Sequence, residues 1–387
     1  MDFDYPPEAE AFRSEFRGWL DANLADEDRG TTFADLVAGG ERLERLRLWN
    51  RRLADAGYAA IAWPVEYGGR GAGVMDQVVF AEEMARATAP STLNPIGLSN
   101  IAPAIMQWGT EEQKTTHLPR MLRGDDIWCQ GFSEPNAGSD LASLQCRAVA
   151  DGHEFVVTGQ KVWNTFGQLA NWCELLVRTD PDVPKHQGIS CLLVDMRLAG
   201  VEVRPLVTIT GEPEFNEIFF TEVRVPRSAL LGPENEGWKV AMTTLAFERG
   251  GVAALHLGVR AKVQRLLEVA RTTQVGGGRT AAEDPVIRQT LARVYLEAEY
   301  LKLLADRAVS GQLHGRPLGP EGSLAKLLWS EVENHLAQAA GEVLGAAANE
   351  GEWGRGRVYV RAMSIAGGTT QVNKNIIAQR ILGLPRG

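Results

Sequence analysis

The spacing of apolar residues changes twice along this chain, and the two changes restrict the folds open to it. Up to about residue 127 apolar side chains recur at intervals of three and four, as at Phe12, Phe16 and Trp19, which is typical of amphipathic helices. Short β-branched runs follow in the middle of the chain, and long amphipathic stretches then return over residues 238–273, 286–313 and 323–344. This order predicts an α+β chain in three domains, at residues 1–127, 128–231 and 232–387.

The middle block also carries a local turn signal. Asp151 and Gly152 lie between two runs of strand-forming residues, a dipeptide and a setting that favour a β-hairpin. Further runs at residues 188–194 and 217–225 continue the strand pattern. In the last block three consecutive glycines at residues 276–278 separate the first two long helical stretches, and they predict a linker.

Composition places the chain among ordinary globular proteins and argues against several kinds of partner. Its 387 residues are 44% hydrophobic and 23% charged, which allows a large buried core. A net charge of −9 is unfavourable for binding nucleic acid or an anionic membrane surface. No apolar run has the length of a membrane span, and the first four residues, MDFD, are acidic where a signal peptide is basic. We therefore expect a cytoplasmic protein without nucleic-acid or membrane partners.

The cysteines and histidines carry no metal signature. The four cysteines are widely spaced without a C-x-x-C pair, and the six histidines are scattered without an H-x-x-x-H pair. Zinc sites and disulfide frameworks both need closer or more regular spacings. We expect reduced thiols in the core and no metal site.

Two segments of the middle block carry the chemistry. Residues 131–140, with the sequence GFSEPNAGSD, form a turn rich in hydroxyl and backbone N–H groups. Such a turn suits the polar edge of an aromatic ring and a phosphate. Residues 159–165, with the sequence GQKVWNT, place an indole and a hydroxyl on one side of a strand.

Together the two segments resemble the flavin-binding segments of the acyl-CoA dehydrogenase family, and the likeness extends to residues 369–377, TTQVNKNII. The resemblance implies an N-terminal helical domain, a middle β-barrel-like domain and a C-terminal four-helix bundle, with FAD as cofactor. It implies Ser133 and Thr165 at the polar edge of the isoalloxazine ring and Trp163 against its face. The further cofactor-binding positions that it implies are Phe132, Gly138, Ser139, Thr369 and Gln371.

The resemblance also implies a carboxylate that takes the α-proton of an acyl-CoA thioester, and its best-known position is lost here. In many family members it precedes a Gly-Thr pair near the C-terminus, where this chain has Gly367. A glycine there cannot take a proton. It still has a backbone N–H, which in the family donates to the thioester carbonyl, so Gly367 keeps a catalytic role.

A substitute carboxylate stands earlier in the chain. Family members that act on branched or long acyl chains carry the base on the first helix of the C-terminal domain, directly before an arginine. Glu248-Arg249 match that pattern. A solvated pair on a helix face would also explain these two residues. The loss of the base at residue 367 together with a carboxylate at residue 248 favours catalysis. We therefore predict Glu248 as the catalytic base, with Arg249 and Ser139 in substrate binding.

A second departure from the family concerns the adenosine half of FAD. Homo-oligomeric members reach across a dimer with an Arg, a Phe and a Gln, and the corresponding positions here are Gln274, Gly277 and Pro285. The family's Gln-x-x-Gly-Gly motif is also altered, to EVLGA at residues 342–346. The resemblance therefore leaves both a homotetramer and an α2β2 heterotetramer open. It also implies acyl-CoA as substrate and electron-transfer flavoprotein as electron acceptor.

These residues predict an oxidoreductase of fatty acid or lipid metabolism that converts an acyl-CoA thioester to the trans-2-enoyl-CoA. Residues 95–106 are expected to line the acyl pocket. Two alternatives stay open. One is a non-catalytic or half-site subunit of a heteromeric enzyme, which the retained flavin segments oppose. The other is an offshoot related to flavin monooxygenases or nitroalkane oxidases, which also lack the C-terminal glutamate, and Glu248-Arg249 opposes it.

Overall fold

The computed structural model of the chain describes residues 5–30, 40–248, 254–316 and 319–385. Its main helices are α1 Pro7–Asn23, α2 Glu41–Asp55, α3 Val74–Arg86, α4 Ala102–Trp108, α5 Glu111–Arg123, α6 Gly237–Glu248, α7 Leu255–Ala270, α8 Pro285–Leu313, α9 Glu321–Leu344, α10 Gly351–Met363 and α11 Thr370–Ile376. Its strands are β1 Trp128–Gly131, β2 Arg147–Asp151, β3 Glu154–Val162, β4 Trp172–Arg178, β5 Ile189–Asp195, β6 Val201–Leu206, β7 Phe215–Pro226, β8 Gln274–Gly276 and β9 Arg279–Thr280. The predicted order of helices, strands and helices is therefore observed.

The chain divides into two units. The sheet unit comprises residues 6–73 and 86–248, and the helix unit comprises residues 1–5, 74–85 and 249–387. The sheet unit contains seven strands in the order β1-β4-β2-β3-β7-β6, with β5 paired to β4. The predicted domain limits at residues 127/128 and 231/232 stay a prediction.

Each unit has its own apolar core. In the sheet unit the inward side chains of the strands form it, because successive residues of a strand point to opposite faces. In the helix unit the buried stripes of α7, α8 and α9 form it, as expected for amphipathic helices that pack on one another. The fully buried members include Phe155, Val157 and Leu192 in the sheet and Val263 and Val294 in the helices.

Strand β1 joins the sheet by parallel pairing, which is unusual among the neighbouring strands. Its four residues pair with β4 from Trp128 opposite Trp172 to Gly131 opposite Leu175. At the end of β1 a Cβ atom on Gly131 would lie 2.7 Å from the Sγ atom of Cys173. Because that distance is well inside van der Waals contact, only glycine fits where the chain leaves the sheet.

Local predictions agree with these elements, with three differences. The hairpin joins β2 to β3 in antiparallel register, and Gly152 has a φ of 59° in the turn. The long helical stretch predicted at residues 238–273 is two helices, α6 and α7, with residues 249–253 outside the described part. The glycines at residues 276–278 belong to a small β8–β9 ribbon rather than to a plain linker. Residues 97–101, ahead of α4, form a π-helical turn.

Candidate active site

The first predicted flavin segment leaves β1 as a tight turn. Glu134 and Ala137 exchange two backbone hydrogen bonds of 3.0 Å each, with a Pro-Asn dipeptide between them. Ser133 is half-buried just before this turn, and Gly138 and Ser139 are exposed just after it. Backbone hydrogen bonds thus set the shape of the turn that carries three of the predicted binding residues.

The sequence predicts Trp163 and Thr165 on a strand, but both follow the end of β3, and Trp163 has an unusual backbone conformation. Its φ is 64°, in the left-handed region that residues other than glycine rarely adopt. The residue is 61% exposed, and its ring contacts the edge of Phe215 at 5.9 Å between centroids. Backbone strain concentrates at functional sites. The structure therefore presents an indole whose surface is open to a flat ring.

A pair of buried asparagines fixes the backbone beside Trp163. The Asn164 N–H donates to the Asn216 carbonyl at 3.1 Å, and the Asn216 side chain donates to the Asn164 carbonyl at 2.8 Å. The Asn164 side chain donates to the Gln130 carbonyl on β1 at 2.6 Å. These bonds fix Asn164, which lies between the exposed Trp163 and the half-buried Thr165.

The two predicted segments meet in the structure. The Val162 N–H donates to the Ser133 carbonyl at 2.9 Å, which places the turn of the first segment beside the strand end of the second. Phe132, also predicted in this site, is buried at their junction. The sequence did not single out Asn164 and Asn216, which fix the backbone here. Asparagine is unfavourable in strands, so two asparagines at the ends of apolar strands could have marked them.

The exposed end of the turn is linked to the loop between β4 and β5. The Lys185 ammonium contacts both carboxylate oxygens of Asp140 at 2.7 Å, and Ser143 also hydrogen-bonds Asp140. The Lys185 and Ser143 hydrogen bonds lower the pKa of Asp140. Ser139, the predicted substrate-binding residue, directly precedes this ion pair.

Helix α6, which ends at Glu248, is anchored in the sheet unit along its length. It packs against α4, β5 and the π-helical turn at residues 97–101. Trp108 donates to the Thr243 hydroxyl at 3.0 Å, and the Thr244 hydroxyl donates to a carboxylate oxygen of Glu174 at 2.6 Å. The predicted pocket residues 95–106 therefore lie against the helix that carries the predicted base.

Glu174 is a buried carboxyl that sequence reasoning did not single out. It lies on β4 opposite Gln130 of β1, and one of its carboxyl oxygens has no hydrogen-bond partner in the described part of the chain. Burial raises the pKa of Glu174 to about 8 despite the hydrogen bond from Thr244. A glutamate in the middle of the apolar run WCELLV was the available signal.

The C-terminal segment of the helix unit forms a turn between α10 and α11. Gly367 and Gly368 have φ values of 63° and 88°, and both are exposed. The Gly368 carbonyl accepts from Lys326 at 2.8 Å and from the Asn373 side chain at 2.7 Å. The Thr369 hydroxyl accepts from the Val372 N–H at 3.2 Å and so caps α11.

Several predicted positions fall elsewhere. Gln371 is exposed in the first turn of α11. Gln274 and Gly277 lie in the exposed β8–β9 ribbon, and Pro285 begins α8. The side chain of Glu248 and the whole of Arg249 lie outside the described residues, so their catalytic and binding roles stay predictions.

The residues around Ser133 and Trp163 fit a flavin ring. An exposed indole on a fixed, left-handed residue offers a stacking surface of the kind that binds flat rings. The turn beside it offers hydroxyl and N–H groups, and a Cβ atom on Gly138 would meet nothing within 4 Å, so the approach to the backbone is open. Both halves of this arrangement belong to the sheet unit.

The described residues lack two further features. They contain no group of three His, Cys, Asp or Glu residues that could hold a metal ion. Among the same residues no helix has the length and apolar character needed to cross a membrane.

Comparison with known proteins assigns the chain to a family. Profiles described as the N-terminal, middle and C-terminal domains of acyl-CoA dehydrogenase match residues 6–125, 129–223 and 235–382. The chain is 39% identical over 392 residues to acyl-CoA dehydrogenase IpdE1 of Mycobacterium tuberculosis, covering 98% of both chains. It is 35% identical over 405 residues to acyl-CoA dehydrogenase FadE26 of the same organism, covering 100% of this chain and 99% of that one.

Solved structures give the same answer. One chain of the Tcur3481-Tcur3483 steroid ACAD superposes with a TM-score of 0.86 at 32% identity, and both chains are covered completely. A chain of the ChsE4-ChsE5 complex from Mycobacterium tuberculosis superposes with a TM-score of 0.85 at 34% identity, again over 100% of both chains. The matches confirm the predicted fold. The chain belongs to the acyl-CoA dehydrogenase family of FAD-dependent flavoprotein oxidoreductases.

Proposed function

We propose that this protein oxidises an acyl-CoA thioester to the trans-2-enoyl-CoA, with Glu248 as the base. Glu248 takes the α-proton, the pair of electrons left on Cα forms the new double bond, and a hydride leaves Cβ. FAD, when bound, supplies the acceptor for that hydride at its N5 atom. Electron-transfer flavoprotein then fits as the acceptor of the two electrons.

The observation that carries this proposal is the exposed, left-handed Trp163 held beside the Ser133 turn. An indole that is 61% exposed on a left-handed residue is the kind of backbone outlier that clusters at functional sites. We assign Trp163 to the face of the flavin and Ser133 and Thr165 to its polar edge. Phe132, Gly138 and Ser139 complete this part of the site, and the predicted roles of Thr369 and Gln371 rest on the family resemblance.

The position of Glu248 supports its assignment as base. It is the last residue of α6, and on the same helix Thr243 is hydrogen-bonded to the half-buried Trp108 and Thr244 to the buried Glu174. A base must be held within tenths of an ångström to transfer a proton efficiently. Gly367 has no side chain to serve instead, so we assign its backbone N–H to the thioester carbonyl. Arg249 and Ser139 are proposed to bind the substrate.

The substrate class is proposed from the relatives. Two structural relatives are named as a steroid ACAD and as the ChsE4-ChsE5 complex, and only the first name gives a substrate type. We propose a CoA thioester whose acyl group is bulky, and a steroid acyl-CoA is the first compound to test. The packing of α4 and the π-helical turn against α6 supports residues 95–106 as the wall of the acyl pocket.

The test is the Glu248→Gln variant under anaerobic conditions. Glutamine keeps the shape of the side chain but removes its basicity, so FAD binding should persist while bleaching of the flavin by acyl-CoA slows roughly 10²–10⁴-fold. Stopped-flow absorbance with a panel of thioesters measures this rate. The control is Glu236→Gln, which changes a half-buried glutamate that pairs with Lys239 just before the same helix, and it should reduce at the wild-type rate. Equal rates in Glu248→Gln and wild type would exclude Glu248 as base.

A second form of this function is that the chain is one half of a heteromeric enzyme. The positions of the family's FAD-gripping residues are Gln274, Gly277 and Pro285, and the first two lie in an exposed ribbon. Glycine offers no side chain, and proline no N–H, with which to hold a diphosphate. Each of the two structural relatives above is named as a pair, Tcur3481-Tcur3483 and ChsE4-ChsE5. These observations favour an α2β2 assembly over a homotetramer.

A further inference from the structure

A buried ion pair lies behind the two segments assigned to the flavin. Lys161 is fully buried, and its ammonium donates to a carboxylate oxygen of Glu134 at 2.8 Å. The same ammonium donates to the carbonyl of Phe132 at 3.0 Å. Lys161 therefore binds the residue on each side of Ser133.

The Glu134 carboxylate is bound from a second direction as well. Its two oxygens accept the backbone N–H groups of Gln145 at 2.7 Å and Cys146 at 2.8 Å. These residues directly precede β2, so the carboxylate links the turn to that strand. The three charge-assisted bonds are of the short, directional kind that fixes geometry.

The ion pair also connects Ser133 to Trp163. The Val162 N–H donates to the Ser133 carbonyl at 2.9 Å, and Val162 lies between Lys161 and Trp163 in sequence. Lys161 and Val162 thus bind three successive residues, Phe132, Ser133 and Glu134. The same two residues determine where β3 releases Trp163.

Stability alone does not explain such a pair. Both charges lose their hydration on burial, and replacing a buried ion pair by apolar residues of similar volume is often neutral or stabilising. An apolar pair could not hold the Phe132 carbonyl and the N–H groups of Gln145 and Cys146 at fixed points. The benefit of Lys161 and Glu134 is therefore positional.

We propose that Lys161 and Glu134 are positioning residues that set the distance and angle between the Ser133 turn and the Trp163 indole. The inference rests on the assignment of these two residues to the flavin in the proposed function. Neither Lys161 nor Glu134 needs to touch the flavin or the substrate.

The test replaces Lys161 by methionine, which has a similar length but no charge. We expect FAD to bind roughly tenfold or more weakly and the visible circular dichroism of the bound flavin to change, because ångström-scale misplacement of a binding group is costly. The Lys161→Met, Glu134→Gln double variant leaves no unpaired buried charge and should show the same loss of FAD affinity. FAD titration and visible circular dichroism measure both quantities.

A matched control comes from the helix unit. The side chain of Lys262 is 44% exposed and contacts both carboxylate oxygens of the buried Glu333, at 2.7 and 2.9 Å. Lys262→Met therefore also leaves a buried glutamate without its lysine, but outside the two segments assigned to the flavin. It should lower the thermal midpoint without changing FAD affinity or the flavin spectrum.

Several outcomes would overturn the proposal. One is that Lys161→Met or the double variant keeps the FAD affinity and flavin spectrum of the wild type. Another is that the double variant does not fold, because the pair would then serve the fold itself. A wild-type protein that binds no flavin would reject the proposed function as well. A flavin-binding wild type with unchanged variants would reject only the positioning role.

Discussion

Glu174 shows what a single residue imposes on the stability of the sheet unit. Burial raises the pKa of its carboxyl from 4.5 to about 8, and the hydrogen bond from Thr244 only partly opposes this. At neutral pH the folded protein therefore keeps a proton on Glu174 that the unfolded chain releases. By linkage, the contribution of this group to stability is complete below pH 4.5 and is lost as the pH rises through about 8.

Glu174→Gln should remove this pH dependence. Glutamine is neutral at every pH and can accept the same hydrogen bond, so the variant should gain stability relative to wild type as the pH rises from 5.5 to 8.5. The size of the gain follows from about 1.4 kcal/mol per unit of pKa shift, which makes it a few kcal/mol. Urea unfolding at both pH values, followed by tryptophan fluorescence, measures it.

The control for Glu174 is an exposed carboxyl. Glu202 forms a surface ion pair with Arg204 at 2.8 Å, which lowers the pKa of Glu202. Glu202→Gln should therefore show no gain with rising pH. If the stability difference between Glu174→Gln and wild type stays constant from pH 5.5 to 8.5, Glu174 does not hold its proton in the folded protein.

Single residues differ in how far the sequence reveals them. Ser133 and Trp163 could be predicted because short motifs specify them, and the structure brings them together. Lys161 and Glu134 stand in the same motifs, yet their ion pair depends on where β1 and β3 come to lie. Glu174 likewise depends on the parallel pairing of β1 with β4. Such partners are set by tertiary register, which no local pattern encodes.

At the scale of elements, the entry to α6 is a tightly constrained point of the sheet unit. Asn235 has a φ of 67°, and its N–H donates to the Ser190 hydroxyl at 2.8 Å. A Cβ atom on Gly237, the first residue of α6, would lie 2.3 Å from the carbonyl carbon of Ser190. The start of the helix is thus in backbone contact with β5.

Gly237→Ala should therefore displace or destabilise α6. The added methyl group meets backbone atoms that cannot rotate away, so we expect a loss of about 2–3 kcal/mol. Because Glu248 ends the same helix, flavin reduction should slow more than substrate binding weakens. Urea unfolding and single-turnover reduction check the two effects.

Gly258→Ala is the matched substitution in α7. A Cβ atom there would meet nothing within 4 Å, and alanine in an open helix interior stabilises by up to about 1 kcal/mol. Opposite signs for the two variants are expected. A neutral Gly237→Ala would show that α6 is not held by β5 as closely as the structure has it.

The elements themselves could be predicted well where periodicity is long. The stretch predicted at residues 286–313 is α8, and the stretch at residues 323–344 is α9 with two residues added at its start. The π-helical turn at residues 97–101 and the β8–β9 ribbon could not be predicted. The first continues the apolar pattern of a helix, and the second has only five strand residues, among three glycines, so neither leaves a periodic signal.

At the scale of the whole molecule, an exposed apolar stripe on α8 points to assembly. Leu296, Tyr300 and Leu303 recur at helical spacing and are 49%, 54% and 50% exposed. Aligned apolar residues of this kind are typical of surfaces that other chains cover. The family resemblance implies FAD-binding side chains at the positions of Gln274 and Gly277, which differ here. Together with this difference, the stripe favours a hetero-oligomer.

We predict that this chain alone binds less than one FAD per chain. A related partner chain that completes the site should restore one FAD per site. The reason is that the missing side chains leave the diphosphate with fewer donors in a homomer. Light scattering and the ratio of flavin to protein, with the chain alone and co-purified with its relative, measure both. A homotetramer with full FAD occupancy would remove the partner hypothesis, and a stable flavin-bound monomer would contradict assembly in either form.

The parallel pairing of β1 with β4 has a consequence for how the protein is made. Trp128 pairs with Trp172, so within the described residues the strand that leads into the Ser133 turn has no strand partner until the ribosome has delivered β4. The hairpin of β2 and β3 and the antiparallel pair of β4 and β5 close shorter loops and can form first, whereas a non-local parallel contact must bear the loop-closure cost before it is rewarded. The Ser133 turn is therefore encoded early in translation and joined to the sheet late, and until β4 arrives the nascent chain carries this motif without the sheet edge that supports it.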